Sequence, residues 1–395
     1  MKPFNSSFWV AVFCTAGILS QSCWKDKTVK DKGLDDVHVN ISPTYGVPLL
    51  DLKIKGEDVV RRINRDSATN SFFIEYNKDD YDLCVIVYDK THIPIALSSN
   101  FSNLDTLVKY PLDFFSDLRK ADGWTPLEAY VLLYADNSYT SEFELMLKKI
   151  DYEDVNGMTK SAVSKGIPKP GRILAASVSG TYLKSLAIDA LIIDKPADIV
   201  FNGSEAMLDF EVRNLGSTPL SSGNLKLQPI IKVPTHIVVD GYVRRDTAAA
   251  NLDDIARYAE SDVISPQNIT IYLKMVNAMP LDDSVQVYFV DKNYNILDSI
   301  RETDIFVKAG LTDFSTYLVH TPTVTEEEIS MSQEKFKKIR DTKFLIIRER
   351  FTSNGKDAKL FKSNYMNVIM SVKVDAKVNG TISEINDEIK NYEKE

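Results

Sequence analysis

Apolar and polar residues alternate along most of the chain, and a period of two marks a half-buried strand. Val37, Val39 and Ile41 open the series. Ser71 to Tyr76 and Leu83 to Tyr88 flank the polar stretch Asn77 to Asp82 and read as a hairpin. Glu128 to Tyr134 and Glu142 to Ile150 form a second, although Leu127 to Leu133 also fits a helix. Further strands are expected at Leu174 to Ser179, Leu186 to Ile193, Ala206 to Val212, Leu225 to Val233, Thr270 to Val276, Val285 to Val290, Phe344 to Arg350 and Met366 to Val378. Helical spacing is confined to three places: Glu57 to Asn64, Leu252 to Glu260, and a segment running from Thr325 to Arg340. Thr325 and Glu328 have the spacing of a capping box. The fold class is therefore mainly β (β-rich α+β), with two antiparallel β-sandwich-like domains and a few short helices.

Punctuation along the chain divides it further. Two prolines and two glycines within Lys165 to Gly171 read as a linker, because neither residue continues a central strand. The expected organisation is a leader at 1–22, a charged tether at 23–36, one β-rich domain at 37–164, the linker at 165–172, a second β-rich domain at 173–384, and a fraying charged tail at 385–395. Ile93-Pro94-Ile95 and Met279-Pro280-Leu281 are alike, but the match is too short to indicate a repeat.

Composition narrows the functional classes. The formal net charge of -9 argues against nucleic acid as a partner and against bulk attraction to anionic headgroups. Only three cysteines occur, Cys14, Cys23 and Cys84. Once a leader takes Cys14 and a lipid takes Cys23, no internal disulfide can form. Cys84 lies in a run apolar on both faces and reads as a packed core thiol.

The beginning of the chain carries the clearest signal. Lys2 precedes an apolar run from Phe8 to Leu19, too short for a membrane span, and Ser20-Gln21-Ser22-Cys23 follows. Small residues before a cysteine resemble a bacterial lipoprotein signal, which implies cleavage before Cys23 and acylation of its thiol. Ser20 stands where that pattern prefers Leu, and Ser20 with Ser22 also suits ordinary secretory cleavage. Two or three acyl chains would hold the protein firmly, at about 0.8 kcal/mol per buried methylene.

No motif for chemistry matches fully. Asp291, Asn293, Asn295 and Glu302 have the spacing of a calcium loop, but Ile296 occupies the position that needs glycine. The strands on either side make this a hairpin turn, so no metal site is assigned. His38, His92, His236 and His320 are scattered and read as structural or surface residues. The acidic pairs Asp79-Asp80, Asp253-Asp254 and Asp282-Asp283 read as solvated turns. No nucleophile elbow, phosphate loop or dinucleotide fingerprint occurs, so neither an enzyme nor a cofactor is expected beyond the covalent lipid.

Two further resemblances bear on the setting. Asp-Ser or Asp-Thr followed by an apolar residue places Ser67, Thr106, Thr247, Ser284 and Ser299 in triplets that resemble the O-glycosylation acceptor pattern of exported Bacteroidota proteins. Asn277 to Leu281 with the strand and turn after it, and Pro43 to Leu49, resemble stretches of uncharacterised Bacteroidota outer-membrane lipoproteins. That resemblance implies a membrane-anchored β-rich protein and supplies no catalytic residue. The expected protein is an outer-membrane lipoprotein that binds or adheres at the cell envelope, its partners being the membrane and an envelope protein, glycan or lipid. Two alternatives stand: a carrier holding an apolar lipid-like ligand in a groove between sheets, and a glycan-active enzyme that stacks sugar on Trp124 and the tyrosines.

Overall fold

The computed structural model describes residues 38–63, 72–89, 92–112, 123–162, 170–176, 183–193, 195–216, 219–220, 222–250, 252 and 263–393. The leader, the tether, the expected helix at 252–260 apart from Leu252, and most of the Pro/Gly run lie outside them.

The first sandwich is built from β3 (Phe72–Asn77), β4 (Leu83–Asp89), β5 (Ile93–Ile95), β6 (Asn103–Pro111), β8 (Tyr130–Asn137), β9 (Phe143–Asp154), β10 (Thr159–Ser161), β11 (Gly171–Ile173), β12 (Leu183–Ile192), β13 (Gly203–Asn214) and β14 (Leu225–Pro234). One sheet runs β12-β8-β14-β4-β3, with β5 also on β14. The other runs β10-β9-β13-β6, with β11 also on β9.

The second sandwich takes β1 (His38–Ile41) and β2 (Thr44–Lys55) from the start of the chain. It adds β7 (Trp124–Pro126), β15 (His236–Ala249), β16 (Ile264–Asn277), β17 (Asp282–Val290), β18 (Ile296–Ser299), β19 (Ile305–Val307), β22 (Thr323–Met331), β23 (Phe344–Lys359) and β24 (Tyr365–Thr381). Its sheets run β22-β16-β24-β2, with β1 also on β24, and β18-β17-β23-β15-β7, with β19 also on β17. A small pair, β20 (Leu311–Thr312) with β21 (Val319–Thr321), projects between β19 and β22.

Both sandwiches are jelly rolls. Eight strands in chain order, β4, β6, β8, β9, β11, β12, β13 and β14, pair as first-eighth-third-sixth and second-seventh-fourth-fifth. The second roll repeats this with β2, β15, β16, β17, β19, β22, β23 and β24. The first roll is thus inserted between the first and second strands of the second. The division expected at 165–172 is not where the sheets separate. β11, β12, β13 and β14 lie beyond it and pair with β9 and β8, which lie before it, while β1 and β2 belong with β24. Gly171 has a packing reason: a Cβ there would lie 1.0 Å from the Ala187 carbonyl oxygen, so only glycine lets β11 pass.

The two rolls also repeat in detail. At the turn from β8 to β9, buried Asn137 donates from Nδ2 to the Ser141 and Leu174 carbonyls, both at 2.9 Å, and its Oδ1 accepts the Tyr139 N–H at 2.9 Å. At the turn from β16 to β17, buried Asn277 donates to Leu281 and Lys308 at 2.9 and 3.0 Å and accepts from Met279 at 2.9 Å. The next turns match as well. Asp154 accepts the N–H groups of Asn156 and Met158, and Asp291 those of Asn293 and Asn295. A duplicated architecture is therefore present, anchored at Asn137 and Asn277; Ile93-Pro94-Ile95 has no part in it.

Helices are short. α1 (Gly56–Ile63) leads from β2 towards the first roll, and α2 (Pro196–Asn202) and α3 (Gln333–Ile339) occupy equivalent connections. The capping box expected at Thr325 is overturned: Thr323 to Met331 is the edge strand β22, paired with β16 along its whole length. The helix begins later, capped by Ser332, whose hydroxyl accepts the Lys335 N–H at 3.2 Å. The same signature does work at Thr381 and Glu384, where each side chain accepts the other's backbone N–H, at 2.7 and 3.3 Å. It opens α4 (Ile382–Glu393), so the expected fraying tail is a helix with Ile385 against Val378 and Ala376.

Candidate functional site

Two clusters of ionisable side chains stand out, and sequence spacing revealed neither. The first lies where the rolls meet. Thr235, between β14 and β15, is fully buried, and its hydroxyl lies 2.8 Å from the carbonyls of both Cys84 and Leu360, its single hydrogen shared between the two acceptors. It ties a strand of the first roll to the segment between β23 and β24. Its neighbour His236 contacts two carboxylates: Nδ1 to Glu128 Oε1 at 2.6 Å and Nε2 to Asp357 Oδ2 at 3.0 Å. Tyr317, from the β20–β21 projection, donates its hydroxyl to the same Asp357 oxygen at 2.5 Å and sets its ring edge-on to the imidazole. Lys359 lies over the Tyr317 ring and reaches Asp80 of the first roll at 3.1 Å.

The electrostatics follow from this geometry. The hydrogen bond to Glu128, supported by Asp357, raises the His236 pKa above its ordinary value despite opposing burial. The His236 bond lowers Glu128, and the Tyr317 bond, then His236, lower Asp357. With an acceptor at each ring nitrogen, both nitrogens must be donors, so the ring is an imidazolium. Such a ring has no lone pair with which to act as a general base. The arrangement clamps two strands and a connecting segment.

The second cluster is inside the second roll. Arg244 donates from Nη1 to Glu349 Oε2 at 2.8 Å, and its Nη2 pairs with Asp246. Asp283 lies on the neighbouring strand, where its Oδ1 accepts the Arg350 N–H at 2.9 Å and its Oδ2 is buried without a hydrogen-bond partner among the described residues. Burial, and then the Glu349 charge, push Asp283 well above the usual carboxylate range. Asp283 and Glu349 are both 0% exposed, which places them beyond the reach of a substrate. Asp282-Asp283 is thus no solvated turn: Asp283 points inward, and Asp282 accepts from Ala309 and Asn354.

Strand register places Asp283, Glu349, Arg244 and Asp246 where the first roll has Phe143, Val212, Leu104 and Thr106. The same framework therefore folds around largely apolar residues at those positions. One sequence signal could have found the quartet. Asp283 shares strand parity with the buried Val285, Val287 and Phe289, and Glu349 with Leu345, Ile347 and Phe351.

The other expected site residues are dispersed. Cys23 and Ser67 lie outside the described residues. The Asp291 carboxylate takes N–H groups from Asn293 and Asn295 and the Asn295 amide, so it is engaged as a turn acceptor; Glu302 joins none of these bonds. Among the described residues no group of three or more His, Cys, Asp or Glu could hold a metal. Thr247, Ser284 and Ser299 share the outer face of one sheet of the second roll, whereas Thr106 is half-buried at the position matching inward-facing Asp246. His38 contacts Asn379, His92 pairs with Asp136 and His320 with Asp313, each separately. Cys84 is a buried thiol pushed up to about 12, chiefly by burial. Trp124 is only 1% exposed and packs edge-on against Tyr242, so it offers no ring to a sugar.

An apolar cavity of about 30 Å³ lies between the sheets of the first roll, lined by Leu112, Val131, Ile150, Leu208 and Ile231. An open groove of about 520 Å³ lies at the far end of that roll, beside Thr140, Ser141, Glu142, Leu215 and Pro219. No helix of the described residues is long and apolar enough to cross a membrane.

The fold and these clusters define a protein of two jelly rolls, one inserted in the other. No family model matches the chain, and no curated protein matches it. Solved structures with some likeness include a Parabacteroides distasonis protein proposed to be secreted, 14% identical at a TM-score of 0.46, covering 84% of this chain and 99% of that one. Peptide N-glycanase F is 8% identical at a TM-score of 0.18, covering 74% and 99% respectively. An infectious bursal disease virus structure is 8% identical at 0.17, covering 80% and 74%. At these scores the likenesses carry no statement about function.

Proposed function

We propose that the chain is an exported bacterial envelope protein, held to the outer membrane by lipid on Cys23, and that it serves there as a non-catalytic binding module. The observation that carries this reading is where the chain enters the fold. β1 starts at His38, a short way after Cys23, beside Thr381 at one end of the second roll. β2 then runs along β24 to Tyr365, and α1 leads on to the first roll at the opposite end. An anchor at Cys23 would hold the second roll next to the bilayer and the first roll beyond it. The clamp at Thr235 and His236 supports a stiff unit, as a presenting scaffold requires.

The carrier and enzyme alternatives have less support. A ligand the size of a lipid needs a pocket of a few hundred Å³. The apolar cavity between the sheets of the first roll is only about 30 Å³, and the groove of about 520 Å³ at the end of that roll is open and lies beside the polar Thr140, Ser141 and Glu142 rather than between the sheets. The paired acids that glycoside chemistry would need, Asp283 and Glu349, are sealed in the core. Fractionation of cells producing Cys23→Ala tests the anchor. The variant is expected in the soluble envelope fraction; a variant that still sediments with membranes would refute lipid anchoring.

A further inference from the structure

The outer face of the β17-β23-β15 sheet breaks two local rules at once. First, Arg245 stands directly opposite Arg348, and Arg350 follows on the same face opposite Val243. Like charges across a strand pair destabilise a sheet. Asp304 pairs with Arg348 at 2.6 Å, but among the described residues no acid is within ion-pair distance of Arg245 or Arg350. The matching positions of the first roll are Asp105, Glu211 and Arg213, and there Lys148 and Arg213 neutralise the acids. The framework therefore does not require facing arginines.

Second, Tyr294 has φ +64° in the turn after β17, a left-handed conformation that disfavours a bulky side chain. The matching residue of the first roll is Gly157, at φ +77°. Tyr294 is 57% exposed, and one face of its ring stacks on Phe344, centroids 4.8 Å apart and 9° from parallel. Phe344 lies four residues from Arg348 along β23, about 13 Å away. Beyond Arg350, Phe306 is 52% exposed opposite Ser284. Exposed aromatic rings thus bracket two uncompensated guanidinium groups, on a chain whose net charge is -9. Departures from local rules that gather on one exposed surface are a mark of function.

We propose that this face binds an anionic polysaccharide, with sugar rings lying on Tyr294 and Phe306 and carboxylates held by Arg245 and Arg350. Planar guanidinium groups match carboxylates in two-point contacts, and an exposed ring offers a flat apolar surface to the CH face of a sugar. Two uncompensated cations spread along the face suit carboxylates spaced one per sugar. They do not suit a nucleic-acid duplex, with a charge every ~1.7 Å. The proposal rests on the binding-module reading but not on the lipid anchor.

The test uses the full chain carrying Cys23→Ala, titrated calorimetrically at low salt with polygalacturonate, dextran, polyglutamate and single-stranded DNA. Polygalacturonate is expected to bind best, with affinity falling as salt rises. Replacing Arg245 and Arg350 together by Ala should weaken it by about tenfold or more. Tyr294→Gly should weaken it while leaving the melting temperature unchanged or higher, a split that a purely structural role would not produce. Equal binding of polyglutamate or DNA would overturn the sugar assignment. Polygalacturonate binding that survives all three substitutions would overturn this face and leave the binding-module reading standing. Failure of the unsubstituted face to bind polygalacturonate at millimolar concentration would overturn the proposal outright.

Discussion

Replacing Arg244 by Leu asks whether the buried quartet is held by charge pairing or merely tolerated. The Arg244 side chain is 5% exposed, Glu349 is 0% and Asp246 11%, so all three lie where water screens them little. Removing the guanidinium strips Glu349 of its 2.8 Å partner and leaves Asp246 beside an apolar side chain. Breaking a buried pair from one side costs about 3–5 kcal/mol. A domain of this size loses roughly 2–4 °C per kcal/mol, so the second roll should melt on the order of 6–20 °C lower. The informative control replaces the whole quartet by its counterparts in the first roll: Arg244→Leu, Asp246→Thr, Asp283→Phe and Glu349→Val. Exchanging a complete buried ionic cluster for apolar residues is commonly neutral or stabilising by about 1–4 kcal/mol. Calorimetric melting of both variants at pH 7 reads the contrast. If Arg244→Leu shifts the transition by less than about 2 °C, or the quadruple variant falls further than the single one, the reasoning fails.

Asp283→Asn should raise the melting temperature at pH 7 and leave it unchanged near pH 3. The folded-state pKa of Asp283 is raised, so ionisation of the unfolded chain removes stability as pH rises above the ordinary carboxylate value. His236 makes a separate contribution. Its raised pKa gives stability that is complete below about 6.5 and is lost as pH rises through the folded value; NMR titration showing a pKa at or below 6.5 would refute the clamp. Asn137→Ala and Asn277→Ala should each cost on the order of 3 kcal/mol, since each amide satisfies three backbone groups, two of them buried and one partly buried. Denaturant melts in which one is costly and the other neutral would show that the turns are not equivalent.

The strands were legible because each carries its own alternation. β17 and β24 fall within about three residues of where the pattern put them, and β16 covers its expected span but begins six residues earlier, at Ile264. Their assembly was not, because a jelly roll is specified by partners far apart in the chain. Nothing near Thr44 says that it pairs with Asp375. Gly171 shows how a local cue misleads: next to two prolines it read as a break, whereas it serves close packing against Ala187. Thr325 and Thr381 carry the same capping signature, and only tertiary pairing decides between strand and helix. Glu128, His236 and Asp357 come from three separate segments, so no spacing rule could have joined them.

Insertion of one roll within the other sets an order of assembly. β2 is made early, yet its partner β24 is among the last segments to emerge, so the second sandwich must wait for nearly the entire chain. The strands of the first sandwich are complete once β14 has been made, and it can close while β2 is still unpaired. A chain cut before β24 would then retain a folded interior insert flanked by unpaired strands of its host. Long-range closure of this kind is slow, and it leaves β2 and β16 with open edges in the interval. The acidic run Glu326-Glu327-Glu328 lies on β22, which stays at the outer edge of that sheet after β24 has closed it, so its charge discourages a second chain from extending the sheet there in the interval and afterwards.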